Sequence, residues 1–305
     1  MALVKHIATR EIDSAIQQAL QEKGAPPLLA QLYASRQVHS TDELDDGLNR
    51  LIPYTQLTNC VAAAKRLTQA IEQHEKILII ADYDADGATA CSVGIKGLQS
   101  MGATVDFFVP NRFEHGYGLT PELADIAHNL GTQLILTVDN GISSHDGVER
   151  ARQWGIDTIV TDHHHAGSHV PDCLIVNPNQ RGCTFPSKSI AGVGVIFYVL
   201  IALRAELRAR DYFSGCLNIA EPKLDELLDL VALGTVADVV ALDHNNRIFV
   251  SQGLKRIRAG KMSHGIRALF QTARCSAQKA QPFDFGYKIA PRINAAGRLD
   301  DMSVG

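Results

Sequence analysis

Three short apolar runs that each break into acidic residues at the same end constrain this chain most. Residues 77–81 lead straight into Asp82-Tyr83-Asp84-Ala85-Asp86-Gly87, residues 134–138 into Asp139-Asn140-Gly141, and residues 158–161 into Asp162-His163-His164-His165. Apolar runs this short, separated by amphipathic stretches, are the pattern of βαβ units and a buried parallel sheet. Residues 105–109 and 174–176 supply two more strands, and 88–101, 121–130 and 145–154 the helices between them. Thr120-Pro121-Glu122 is a good helix start, with a capping hydroxyl, a proline at the first helical position and an acid in the first turn. Residues 194–210 and 223–233 read as later helices that cover or extend the sheet. The expected fold class is therefore α/β, an open, mostly parallel β-sheet flanked by helices, with a helical N-terminal segment. Ligands bind such sheets outside the carboxyl ends of the strands. The acids that follow three strands are thereby expected at one rim.

Composition narrows the class further. At 305 residues, 46% hydrophobic and 20% charged, the chain is ordinary for a folded protein and carries no repeat or low-complexity segment. No apolar run approaches the roughly 20 residues that span a bilayer, and the first ten residues already hold Lys5, His6 and Arg10, unlike a secretory signal. The six cysteines are scattered without a C-x-x-C pair, which favours reduced thiols and a cytoplasmic location over a disulfide framework or a zinc site. The net charge is −4, but residues 251–305 carry +7 and the rest is strongly acidic. Three parts are expected: a helical segment over 1–75 packing on the core, a domain over 76–250, and a basic segment over 251–305.

The acids can be read as helix caps, as a calcium loop, or as a metal centre. One aspartate suffices for a cap. The string D-x-D-x-D-G opens like an EF-hand loop, but its seventh, ninth and twelfth positions are Ala88, Ala90 and Val93, and a strand-like run precedes it. Asp82, Asp84 and Asp86, aimed at the same rim as Asp139 and Asp162, would repel strongly without cations among them. Successive residues leaving a strand face opposite ways, so one of His163 and His164 is expected to face the acids and the other to face a substrate. His165 has the weaker claim. Asp238, an isolated acid in a Val-rich run, is either a helix end or a further ligand. Carboxylates with an imidazole suit Mn²⁺ or Mg²⁺, and so many acids suit two ions, which together activate water and stabilise charge on a phosphoryl oxygen. The sequence has no G-x-S-x-G, Walker A, G-x-G-x-x-G or H-E-x-x-H string to compete.

At these residues the chain resembles the DHH phosphoesterase family, through Asp162-His163-His164. Further stretches, spanning residues 110–118, 192–194, 234–238 and 291–299, resemble the branch of that family that degrades single-stranded DNA. The resemblance runs from about residue 30 to the C-terminus. It implies a metal-dependent hydrolase, a 5′→3′ exonuclease on single-stranded DNA in repair and recombination, with two Mn²⁺ or Mg²⁺ ions. It implies Asp84 and Asp86 as metal ligands supported or joined by Asp82, Asp139 as the bridge between the ions, and His163 and Asp238 as further ligands. It places His164 near the scissile phosphate, and Arg112, Arg292, Asn294 and Arg298 on the DNA backbone. The planar fork of arginine suits phosphate oxygens. Tyr117, between two glycines, is a candidate for stacking on a base or for packing a turn. The implied partners are single-stranded DNA, a single-stranded-DNA-binding protein and a helicase, and no membrane. His165 is not part of the family pattern. The family continues into a second domain of the catalytic cleft and an OB-type domain, and the chain is expected to end before both.

Other readings make distinct demands. A pyrophosphatase of the same superfamily would have a histidine four residues before Asp84, where Ile80 stands, and a short-oligonucleotide hydrolase would have Gly-Gly-Gly-His, which is missing. A degenerate, non-enzymatic scaffold would have lost ligands, and every candidate ligand is present.

Overall fold

The structure is a computed structural model describing residues 8, 10–111, 116–214, 219–299 and 302, with the side chains of 298 and 299 outside the described set. The chain divides into two compact units, Met1–Arg50 and Leu51–Gly305. In the first, α1 (Ser14–Glu22) is capped by Asp13, whose carboxylate accepts from Ala15 N and Ile16 N, and α2 (Pro27–Ala34) starts on Pro27. Leu20, Ala30 and Ala34 form the small core between these helices.

The second unit opens with α3 (Cys60–Glu72), followed by β1 (Lys76–Ala81), α4 (Ala85–Ser100), β2 (Thr104–Phe108), α5 (Pro121–Asn129), β3 (Leu134–Val138), α6 (His145–Gln153), β4 (Asp157–Thr161) and β5 (Leu174–Val176). The strands form one sheet in the order β2-β1-β3-β4-β5, and every pairing is parallel. All five expected strands are present, within a residue of their expected bounds. Because side chains alternate across a strand, Ile77, Ile79 and Ala81 join the core on one face, and Leu78 and Ile80 pack with Leu123, Ala127, Val148 and Ala151 of α5 and α6 on the other. Both faces are covered, which is why β1 and β3 read as nearly unbroken apolar runs rather than as alternating ones.

The helical remainder comprises α7 (Gly192–Ala209), α8 (Leu228–Ala237), α9 (His244–Arg258), α10 (His264–Thr272), a single turn α11 (Pro282–Asp284), a π-helical turn over Phe285–Ile289, and α12 (Ala290–Leu299). Two expectations shift. Helix α4 starts at Ala85 rather than residue 88, because Asp84 caps it by accepting from Gly87 N at 2.9 Å. This turns Asp86 into a first-turn residue. The helix expected over 223–233 is a 3₁₀ turn (Leu224–Leu227) followed by α8, so Asp238 is the C-cap of a helix. Among the described residues no helix is long and apolar enough to cross a membrane.

Helices α8 and α9 meet at Gly253, where a Cβ would lie 2.3 Å from the Leu228 carbonyl oxygen and 2.3 Å from Ala232 Cβ. Alanine favours an isolated helix over glycine, but here it would force two backbones apart. Gly253→Ala is expected to destabilise the fold by about 1–3 kcal/mol, read as a lower midpoint in chemical denaturation. A stabilised variant would refute this close packing.

Candidate metal centre

The sheet order reverses at β1 and β3, which neighbour each other although β2 intervenes in sequence. That is the switch point at which α/β sheets leave a crevice. The loops after β1, β3 and β4 meet there. Asp82 follows β1 and accepts from Tyr83 N at 2.6 Å. Gly87 is required beside it, since a Cβ would lie 2.3 Å from the Asp82 carbonyl oxygen. Asp86, fully buried, accepts from Gly192 N at 2.6 Å and Val193 N at 3.0 Å. Its carboxylate therefore sits on the N-terminus of α7, where unpaired N–H groups and the helix dipole favour an anion. Asp139, 2% exposed, adopts a left-handed backbone with φ of 62°. Asn140 holds this turn, donating to the carbonyls of Ile80 and Val138.

These acids surround one imidazole. His163 Nε2 lies 3.1 Å from Asp139 Oδ1, 3.4 Å from Asp238 Oδ2 and 3.9 Å from Asp86 Oδ2. Ligand atoms of Asp82, Asp84 and Asp139 also fall within 4.8 Å of one another, as do those of Asp86, His163 and Asp238 and those of Asp139, His163 and His164. The six expected ligands thus converge. Asp162 does not share their environment. It accepts from Ile142 N, His163 N, His164 N and His164 Nδ1, the last at 2.7 Å. The rim expected to hold Asp162 among the acids instead uses it to build the loop, because two backbone N–H groups and an imidazole follow it directly.

Burial, then Asp84, pushes the Asp82 carboxyl up to about 7. Burial, then Asp238, raises Asp86, and burial, then Asp86, raises Asp139, both well above the usual carboxylate range. Burial, then Asp84, lifts Asp238 to about 6. Asp238 also caps the C-terminal, negative end of α8, the wrong end for an anion. Burial, then the His164 cation, lowers His163 to about 4, so its ring is neutral and Nε2 is available as a ligand. His164 goes the other way, to about 9, through its bond to Asp162.

The donor set fits a divalent cation. Asp139 Oδ1 and His163 Nε2 are buried, 3.1 Å apart, and neither has a hydrogen-bond partner. Two such atoms facing each other in a field of carboxylates are costly unless a cation takes their lone pairs. Carboxylate oxygens with one imidazole match Mn²⁺ or Mg²⁺ rather than a thiolate-preferring metal.

The remaining candidates are spread around this rim. His164 is 45% exposed and His165 is exposed. The Tyr117 ring centroid lies 6.4 Å from His164 and 6.1 Å from Tyr83. Asn294 reaches the cluster loop, but its oxygen accepts from Ala85 N at 2.7 Å. Gly297 lets α12 approach the same loop, since a Cβ there would lie 2.5 Å from the Tyr83 carbonyl oxygen. Arg292 is exposed and donates to the Lys288 carbonyl. Arg112 lies outside the described residues. Arg298 lies on α12 with its side chain outside the described set.

Sequence reasoning passes over two supports and leaves a third, Gly192 of the 192–194 motif, without a role. Asn179 Nδ2 donates to the His163 carbonyl at 2.6 Å, and Asn177 Nδ2 to the His164 carbonyl at 3.0 Å. Gly192 lets α7 approach Asp139, whose Oδ1 would be 2.4 Å from a Cβ. For the two asparagines, Asn177-Pro178-Asn179 directly after a strand is the signal the sequence offers.

The DHH family, N-terminal domain, matches residues 76–235. The chain belongs to this family. It is 55% identical over 282 residues to the single-stranded-DNA-specific exonuclease RecJ of Escherichia coli (strain K12), covering 92% of this chain and 49% of that protein. It is 36% identical to RecJ of Thermus thermophilus, covering 90% of this chain and 38% of that protein. The crystal structure of Thermus thermophilus RecJ in complex with Mn²⁺ superposes with a TM-score of 0.77 at 32% identity, covering 95% of this chain and 40% of that one. The chain thus spans about half the length of the Escherichia coli relative and less of the Thermus one.

Gly192→Ala would press a methyl group into Asp139 while leaving every acid in place. It is expected to weaken Mn²⁺ binding by about 10–100-fold, as loss of a ligand's support does, with an unchanged helical circular-dichroism spectrum. Calorimetric titration with Mn²⁺ measures this, and wild-type affinity in the variant would refute the role given to Gly192.

Proposed function

We propose that this chain hydrolyses phosphodiester bonds of single-stranded DNA from the 5′ end, using two divalent cations, Mn²⁺ or Mg²⁺. The observation that carries the reading is the buried, unpartnered pair of Asp139 Oδ1 and His163 Nε2 within a ring of carboxylates. The similarity to RecJ exonucleases across nine-tenths of the chain supports the substrate.

Asp82, Asp84, Asp86, Asp139, His163 and Asp238 would hold the ions, Asp139 being the acid common to the grouping with Asp82 and Asp84 and to that with His163 and His164. Cations held there would supply a lowered pKa for an attacking water and charge neutralisation at the phosphoryl oxygens. Asp162 accepts the Nδ1–H of His164, which fixes the ring and leaves its Nε2–H to donate to a non-bridging phosphate oxygen. Arg112, Arg292, Asn294 and Arg298 meet the DNA backbone, and Tyr117 stacks on a base. The division into a helical segment to residue 75, a catalytic domain over 76–250 and a basic segment over 251–305 belongs to the same proposal. So do the cytoplasmic location, the role in repair and recombination, and the single-stranded-DNA-binding protein and helicase as partners.

Two measurements test the reading. With Mn²⁺, strands labelled at the 5′ end are expected to release label as mononucleotide first, and strands labelled at the 3′ end to shorten progressively. Asp139→Ala is expected to lower this rate by about a thousandfold or more, since the ions supply several kcal/mol. Equal rates in variant and wild type would overturn the metal mechanism. Mn²⁺ is also expected to raise the melting temperature of the wild type, because a ligand that binds only the folded state stabilises it. Asp139→Ala is expected to lose most of that rise.

A further inference from the structure

The π-helical turn and its neighbours expose two aromatic rings outside the metal centre. Phe283 is 57% and Tyr287 73% exposed, and their rings stack with centroids 4.7 Å apart and planes 24° apart. Lys288 Nζ lies 5.8 Å from the Phe283 centroid and is held by Asp284 at 2.7 Å. Nothing in the metal centre uses these rings, and burying them would remove considerable apolar area from water.

Their position is tied to the centre from two sides. Gly286 packs against Val236, two residues before Asp238. Further along the same helical run, Asn294 accepts from Ala85 N, and Gly297 lies against the Tyr83 carbonyl. From Tyr287 to Asn294 is seven residues, or about 10 Å along a helix. That equals roughly three steps of a stacked nucleic-acid strand. The surroundings carry the complementary charge, since the exposed Arg292 follows the rings, Lys288 is balanced by Asp284, and residues 251–305 carry +7 in sum.

We propose that Phe283 and Tyr287 form a stacking platform for a base of the single strand, about three nucleotides from the loop that carries Asp84 and Asp86. The inference rests on the single-strand reading above and adds the residues that grip the strand away from the reacting phosphate. Stacking is indifferent to sequence, because every base has a π face. It therefore suits an enzyme that must pass all four bases. The exposed Arg292 holds a phosphate of the same segment. The occupant is nucleic acid rather than a protein surface because the aromatic pair is bordered by positive charge and continues into the loop of the metal centre.

The test compares binding of the 305-residue chain, in EDTA so that nothing is hydrolysed, to fluorescent oligothymidylate and to an abasic strand of equal length and charge. Wild type is expected to prefer the base-bearing strand by about tenfold or more, from stacking of about 1–3 kcal/mol per base. Phe283→Ala combined with Tyr287→Ala is expected to lose most of that preference at an unshifted melting temperature, and Phe283→Trp combined with Tyr287→Trp to keep it. A double alanine variant that keeps the preference overturns the platform. A variant altered only in self-association overturns it too, in favour of a second copy as the occupant. Wild type that degrades strands with Mn²⁺ yet shows no base preference sinks the platform alone. Wild type that neither degrades nor binds them sinks the exonuclease reading as well.

Discussion

Everything at the rim depends on keeping five carboxylates and an imidazole within reach of one another against their own repulsion. The fold does this by giving each acid a different anchor. Asp84 is tied to its own helix through Gly87 N, and Asp86 to another helix through Gly192 N and Val193 N. Asp82 takes the next N–H in the chain. Asp139 has no such donor at Oδ1 and is instead held by a left-handed backbone locked by Asn140. Two helix N-termini thus offset part of the repulsion, while Asp238 at the wrong end of α8 adds to it. The remaining charge is unbalanced by protein, which is the condition under which a cation is bound rather than excluded.

The sheet determines why these anchors can meet. With β1 and β3 adjacent and β2 displaced to the edge, helix α4 crosses one face and α5 and α6 the other. The carboxyl ends of β1 and β3 are left uncovered between them. The loop after β4 then enters from the next strand along, bringing His163 over the gap. A different strand order would leave the same three motifs on separate edges.

Much of this is legible in the sequence, and the exceptions have a common cause. Strands β1 and β3 are visible because burial on both faces makes them almost continuously apolar. The convergence of Asp86, Asp139 and His163 follows from sheet geometry, whereas Asp238 comes in from the end of α8. Helix α4 begins three residues ahead of its expected start because Asp84 is a cap as well as a candidate ligand, and the two look the same in sequence. Asp162 sits in sequence like the other acids, yet it is occupied by four donors of its own loop and its neighbour. Gly192, Asn177 and Asn179 act through backbone approach and carbonyl contacts across 13 to 16 residues or more, and no local periodicity records such contacts.

The two histidines illustrate how one dipeptide yields two chemistries. Leaving β4, their rings lie close, with centroids 4.5 Å apart, but differ in burial: His163 turns inward to 12% exposure, and His164 stays at 45%. Inward burial lowers His163 to about 4, which frees Nε2 as a lone-pair donor, while the Asp162 bond lifts His164 to about 9 and keeps it a hydrogen-bond donor. The difference is supported from behind, since Asn179 holds the His163 carbonyl and Asn177 the His164 carbonyl, which fixes the two successive peptide units. Exchanging the two environments would require turning both peptide units over, which would take these acceptors away from the asparagine amides. The contrast between the two imidazoles is therefore a property of β5 and the turn after it as much as of the histidines.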